Sequence, residues 1–357
     1  MSAGQAQAIG GIHEVCFGVT DLDAACAYWR AFGYLPIARG AVGPDAALAL
    51  YGLASAVESV RLQHLNTDHG LIRLMRWDQP LSGGIGLAPL RGHGSRWVGQ
   101  FARNCLDIGN HAAAAKRLGA PLIDTAPSFV DLSKYNPQHY GQNPPQPFVD
   151  RLLAVREYTL IQPLWRQAFL ERFHYESKLL GRIDDDSLMR ASQIVNASFM
   201  VSSDDPTVFD FYADALGLKL ASVQEVPWDQ AMASRGVFDL REGETHWCHT
   251  YEEPRSGNSA DTRRGGRLYL FRFPSTSVLP DRMSISQPGH LGCSLFTWRV
   301  RDLQALHDSC AQRSDTAAAQ PALPDEFGVS AFRCVAPDGT SWCFQQANAA
   351  EVMEMSI

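Results

Sequence analysis

Between residues 12 and 34 the spacing of apolar and polar positions changes from one regular period to another. From Ile12 to Val19 the pattern alternates, with Val15, Phe17 and Val19 on one face and Glu14, Cys16 and Gly18 on the other, which predicts a strand. A turn with a helix cap follows, and Leu22, Cys26 and Trp29 then form the apolar stripe of an amphipathic helix. The strand-turn-helix phrase returns at 97–119, 196–218 and 291–310. One supersecondary unit is therefore used four times, and units that cannot bury a face alone must pack in pairs.

The rest of the chain fills out these modules. Module 1 covers about 10–78, with LPIARGAV, VESVRLQHL and LIRLMRW as further strands. The run GGIGLAPLRGHG at 83–94 lacks the strand-to-helix context of a dinucleotide fingerprint, so it reads as a linker and no nucleotide cofactor is expected. Module 2 has a helix at 107–118, an extended PLIDTAPSFV, a long insertion, and a strand pair within FVDRLLAVREYTLIQP. The segment PLWRQAFLERFHYESKLLGRIDDDS has apolar residues at helical spacing, which predicts a linking helix within 163–193. Modules 3 and 4 follow at about 194–275 and 288–347. The simplest division pairs consecutive modules, 1–162 as an N-terminal pair and 194–357 as a C-terminal pair with a tail.

The phrases VTDLDAACAYW near the start and APDGTSWCFQQ at 336–346 resemble the vicinal oxygen chelate superfamily, which includes glyoxalases, extradiol dioxygenases, epimerases and bleomycin-resistance proteins. The resemblance implies an α+β fold of four βαβββ modules paired into two cup-shaped mixed sheets. It also implies that metal ligands, where present, come from the first and last strands of each module. Glu14 occupies the position at which many family members carry a first-strand His or Gln ligand, whereas His13 falls on the opposite face.

The same count selects Gln100, Ser198 and Leu295 on the other first strands. On the last strands it selects Arg73, Thr159 with Glu157 two residues earlier, Leu270 and Cys343. The N-terminal cup is thus expected to hold the site. Glu14, Arg73 and His139 are its candidate catalytic residues, and Gln100, Tyr135, Tyr140 and Thr159 its candidate substrate contacts. Glu14, Gln100 and Glu157 would form an all-oxygen divalent-metal site. Arg73 argues against such a metal, because a guanidinium repels a dication and pairs with a carboxylate instead. Tyr135, His139 and Tyr140 lie in the insertion LSKYNPQHYGQNPPQPF, a loop without periodicity of the kind that covers a site.

The C-terminal cup reads as degenerate, since Ser198, Leu295, Leu270 and Cys343 cannot supply the two His and one Glu of an extradiol iron site. His246 and His249 in HWCH face opposite ways on a strand. Composition narrows the partners further. A formal net charge of -7 without a basic block excludes a nucleic-acid backbone. The eight cysteines lack a disulfide framework's spacing and read as reduced core thiols. The start MSAGQAQAIGG carries no secretory pattern and no apolar run is membrane-length, so a cytoplasmic protein is expected.

Three functions fit these observations. The first is a glyoxalase-like lyase or isomerase performing proton transfer, elimination or addition on an aromatic or carbonyl-containing small molecule, as a monomer or homodimer. The second is a divergent ring-cleaving dioxygenase. The third is a non-catalytic binding protein of the bleomycin-resistance type.

Overall fold

The computed structural model describes residues 8–131, 153–175, 180–254, 265–318 and 322–348. Module 1 contains β1 (Ala8–Gly18), α1 (Leu22–Arg30), β2 (Tyr34–Val42), α2 (Pro44–Tyr51), β3 (Val57–His64) and β4 (Leu71–Trp77). Module 2 contains β5 (Arg96–Ala102), α3 (Cys105–Arg117), β6 (Ile123–Asp124), β7 (Ser128–Asp131), β8 (Ala154–Ile161) and β9 (Arg166–Phe173). Module 3 contains β10 (Ala191–Ser202), α4 (Asp210–Asp214), β11 (Lys219–Pro227), α5 (Met232–Phe238), β12 (Thr245–Glu252) and β13 (Arg267–Phe273). Module 4 contains β14 (Gly292–Val300), α6 (Leu303–Gln312), β15 (Ala317–Ala318), β16 (Leu323–Pro324), β17 (Ser330–Val335) and β18 (Ser341–Gln346).

Local chemistry explains the recurring phrase. Asp21 caps α1 by accepting from the backbone N–H groups of Asp23 and Ala24, both at 2.9 Å, while Leu22, Ala25 and Trp29 turn inward. Asp302 caps α6 in the same way, accepting from the Ala305 N–H at 2.9 Å.

The module pairing differs from the sequence expectation. One sheet runs β15-β17-β18-β14-β1-β4-β3-β2 and joins module 1 to module 4. The other runs β11-β12-β13-β10-β5-β9-β8-β6 and joins module 2 to module 3. The first strands meet antiparallel at each sheet centre, β1 on β14 and β5 on β10. The division at 162/194 therefore does not separate two cups, because the inner pair of modules is inserted between the halves of the outer sheet.

The expected helix within 163–193 is also replaced, by β9, which pairs parallel with β5 and antiparallel with β8. Trp165, Phe169 and Phe173 recur every fourth residue, a spacing compatible with either a helix face or a strand face. Sheet pairing decides between them, since without β9 module 2 would lack its last strand.

The chain crosses between sheets twice, and the two crossings run side by side. Ser82 bridges His290 and His93 bridges Asp281, with the Leu81 N–H donating to the Gly289 carbonyl at 2.8 Å. Gly84 has φ +65°, and a Cβ there would lie 1.9 Å from the Leu291 carbonyl oxygen, so the Gly-rich linker owes its composition to this close approach. The sheets pack with their helix-covered faces inward, around a core that includes Trp29, Trp165, Phe199, Phe296 and Trp342. No helix among the described residues is long and apolar enough to cross a membrane.

Candidate functional site

Each sheet has a second face, turned away from this shared core, and these two faces are the cups. In the outer sheet, Glu14 on β1 receives Arg61 Nε and also Arg73, whose Nε and Nη2 lie 3.0 and 2.5 Å from Glu14 Oε2. Arg73 continues to Asp325 Oδ2 (2.9 Å) and Glu326 Oε2 (3.1 Å). Tyr51 and Ser59 hydroxyls donate to Glu326 at 2.6 and 2.8 Å, and Gln345 Nε2 donates to Asp325 Oδ2 at 2.5 Å.

Asp325 and Glu326 belong to the turn between β16 and β17, where Asp325 Oδ1 accepts from the Phe327 and Val329 N–H groups at 2.9 and 3.0 Å. The Phe327 ring lies under both guanidiniums, 4.1 Å from Arg61 and 5.0 Å from Arg73. The turn therefore fills the outer cup.

Glu14, Cys16, Arg73, Leu295, Thr297, Cys343 and Gln345, on the four central strands, are all 0% exposed. Burial alone would raise the Glu14 pKa, yet Arg61 and Arg73 outweigh it and hold the carboxyl far below its ordinary value. Arg73 is shifted well above its usual range, burial being outweighed by Glu14 and its other anionic neighbours. A carboxylate fixed in this way is a poor proton acceptor near neutral pH. His13 is buried and donates through Nδ1 to the Asp68 carbonyl (2.9 Å), and burial lowers its pKa to about 3.

The inner cup is less full. One end is packed by Trp97, Phe238, Phe271 and Phe273, with Trp97 and Phe271 centroids 5.2 Å apart. His246 stacks on Phe273 at 5.0 Å and is lowered to about 4 by burial. At the other end Glu157 on β8 is half-buried, on the strand face opposite the core residues Tyr158 and Leu160. It has no hydrogen-bond or ion-pair partner among the described residues, and burial alone raises its pKa above the usual carboxylate value. Its charge reaches Cys248 on β12, whose thiol is pushed up to about 12, first by burial and then by Glu157. Thr159, Ser198 and Thr250 lie on the same side of their strands, each less than a tenth exposed. Arg267 Nε donates to Glu252 Oε1 at 2.6 Å and Nη1 to the Tyr269 hydroxyl at 3.2 Å.

The structure brings together only part of the expected site. Glu14 and Arg73 meet. Glu157 and Thr159 lie in the other cup, on the penultimate strand of module 2 rather than its last. Gln100 faces neither cup. Its Nε2 donates to the Ser192 carbonyl (2.8 Å) and its Oε1 accepts from Gln167 (2.9 Å), on the core side shared with Val98 and Ala102.

The one-residue offset puts Trp97 and Gly99 on the cup side instead, the usual consequence of a period of two. Leu270 likewise packs into the shared core, leaving Tyr269 and Phe271 toward the cup. Leu295 and Cys343 do face a cup, but the outer one, shared with module 1. Tyr135, His139 and Tyr140 lie outside the described residues. Sequence reasoning missed Arg61, Tyr51, Asp325 and Glu326. Alternation along VESVRLQH did signal Arg61, since Val57, Ser59 and Arg61 share one strand face.

No protein-family model matches the chain, and no curated protein matches it in sequence. Solved structures do. Glyoxalase I from Zea mays superposes with a TM-score of 0.51 at 12% identity, over 97% of this chain and 94% of that one. A single-residue variant of the same enzyme gives 0.52 at 12% identity, over 96% and 95%.

The chain has the vicinal oxygen chelate fold.

The vicinal oxygen chelate positions of this chain nevertheless do not fit a catalytic metal. In the outer cup they hold Glu14, Arg73, Thr297 and Cys343, and the only carboxylate among them is bound by two guanidiniums that would repel a dication. In the inner cup the two first strands offer Gly99 and Ser198, and β13 offers Tyr269 and Phe271. Among the described residues no three His, Cys, Asp or Glu side chains converge as a metal site. The expected set Glu14, Gln100 and Glu157 is divided between two sheets, and among the described residues two His and one Glu are not assembled in either cup.

Proposed function

We propose that this protein acts on an oxygenated small molecule in the inner cup, between modules 2 and 3, through metal-independent proton transfer with Glu157 as the acid or base. The contrast between the cups carries the reading. The seven central positions of the outer cup are sealed, while Glu157, Cys248, Tyr269 and Phe271 in the inner cup are half-buried. A carboxyl with a raised pKa and no partner among the described residues, sharing its strand face with Thr159 and facing Cys248, is the arrangement expected of a general base in an isomerase or lyase. Cytoplasmic residence and a homodimeric state complete this reading.

The experiment is Glu157→Gln assayed on a panel of 2-oxo aldehydes, aromatic diols and hydroxy acids. Turnover should fall roughly 100-fold or more while the fold persists. Because the Glu157 pKa is raised, activity that needs the carboxylate should rise with pH through a value above 4.5. Unchanged turnover in the variant on an accepted substrate would rule out this role.

A second reading rests on the apolar wall of Trp97, Phe238 and Phe271, which suits an aromatic ligand bound without chemistry. Saturable quenching of tryptophan fluorescence by such a compound, without turnover, would favour it.

A further inference from the structure

Between the two sheets lies a cation that neither cup uses. Arg96 on β5 is 1% exposed and crosses the intersheet core to module 4, where its Nη1 donates to the Ser294 carbonyl at 2.6 Å. Among the described residues its Nε and Nη2 have no hydrogen-bond partner, and neither has the buried hydroxyl of Ser294. The Phe296 ring lies 5.8 Å from the guanidinium.

The surroundings are short of negative charge. Arg96 and Arg166 both act on the buried thiol of Cys293, and Arg282 acts in turn on Arg166, whose pKa falls to about 10 through burial and then this repulsion. Arg166 donates to the Gly86 carbonyl at 2.9 Å, and Arg282 donates to the Pro89 carbonyl and the Ser95 hydroxyl at 2.5 and 3.1 Å. Arg333 adds further repulsion on Arg96.

The carboxylate that acts on Arg96 is Asp338, and it is already engaged. It accepts from the Tyr212 hydroxyl at 2.6 Å and from the Thr340 N–H at 2.8 Å, and burial raises its pKa. A buried guanidinium with two idle donors and no anion in contact among the described residues is costly unless a counter-charge joins it.

We propose that a monatomic anion of the chloride type binds beside Arg96, held by Nε or Nη2 and the Ser294 hydroxyl, and ties module 2 to module 4. Near-complete burial of Arg96 and Ser294 favours a halide over an organic anion.

The test soaks crystals of the full chain in bromide and locates it by anomalous scattering, alongside melting curves in chloride, bromide and acetate at equal ionic strength. A bromide peak in contact with Arg96 is expected, with a saturable halide-specific rise in melting temperature of roughly 3 °C. That rise should vanish in Arg96→Met. Ser294→Ala, which leaves the cation in place, should need roughly tenfold more halide for the same rise, and it carries the test if Arg96→Met does not fold. Ordered water without an anomalous signal, or an identical halide response in wild type and Ser294→Ala, would overturn the site.

Discussion

At the scale of single residues, the same side-chain type plays opposite parts in the two cups. Glu14 and Glu157 both sit on concave strand faces, but Glu14 is clasped by two guanidiniums and Glu157, among the described residues, by none. Glu14→Gln should therefore cost about 3–5 kcal/mol, because it leaves Arg61 and Arg73 buried with too little counter-charge. Denaturant unfolding measures this, and a change within roughly 0.5 kcal/mol, the scatter of surface substitutions, would refute it. Any turnover should survive.

The sign with pH follows from the lowered Glu14 pKa. Its contribution is present above the unfolded value of 4.5 and is lost as pH falls below it. The histidines act earlier. His13 is lowered to about 3 and His246 to about 4 from 6.5, so the unfolded chain takes up protons first, and stability should begin to fall as pH drops through 6.5. His246→Phe should flatten the decline between pH 6.5 and 4 in unfolding free energies measured across that range.

At the scale of elements, one turn decides whether a cup is open. The outer cup is closed by 325–329, which is pressed against the C-terminal half of β2, where a Cβ at Gly40 would meet the Glu326 carbonyl oxygen at 1.8 Å. Backbone cannot yield there as a flexible side chain would. Gly40→Val should lift the turn off the Glu14 cluster and destabilise the protein by about 1–3 kcal/mol. Hydrogen exchange at the Val329 and Phe327 amides reads the change directly, and unaltered protection would mean that the turn is held by other contacts. In the inner sheet α5 contacts β7, whose Ser128 pairs with Glu157 on β8, and Glu157 nevertheless stays half-buried where Glu14 is fully buried.

At the scale of the whole molecule, the nested order of modules makes folding non-local. β1 must find β14, nearly the length of the chain away, before the outer sheet exists. Residues 1–162 expressed alone should then lack native near-ultraviolet dichroism, because β1 has lost its β14 partner and β5 its β10 partner. A natively folded 1–162 fragment would contradict the nesting. The Arg96–Ser294 link belongs to this scale as well, since it joins an inner module to an outer one.

The modules, their capped helices and the cup-facing side of β1 were legible in the chain because each depends on spacing over fewer than twenty residues. Asp21, the stripe through Trp29 and the alternation around Glu14 needed no distant partner to be read. Pairing was not legible. The four phrases are similar enough that nothing local distinguishes a β1–β5 sheet from a β1–β14 sheet, and long-range strand contacts make the choice. β9 shows the same limit, because residues spaced by four fit either period until β5 and β8 accept one of them. Gln100 and Leu270 were assigned to the wrong side because a single residue of register exchanges the faces of a strand. Glu14 could be placed in a cup from its own strand, but whether that cup was empty rested on Asp325 and Glu326, some 310 residues away in sequence. Short-range pattern fixes which side chains share a strand face, and only packing between distant segments fixes what that face meets.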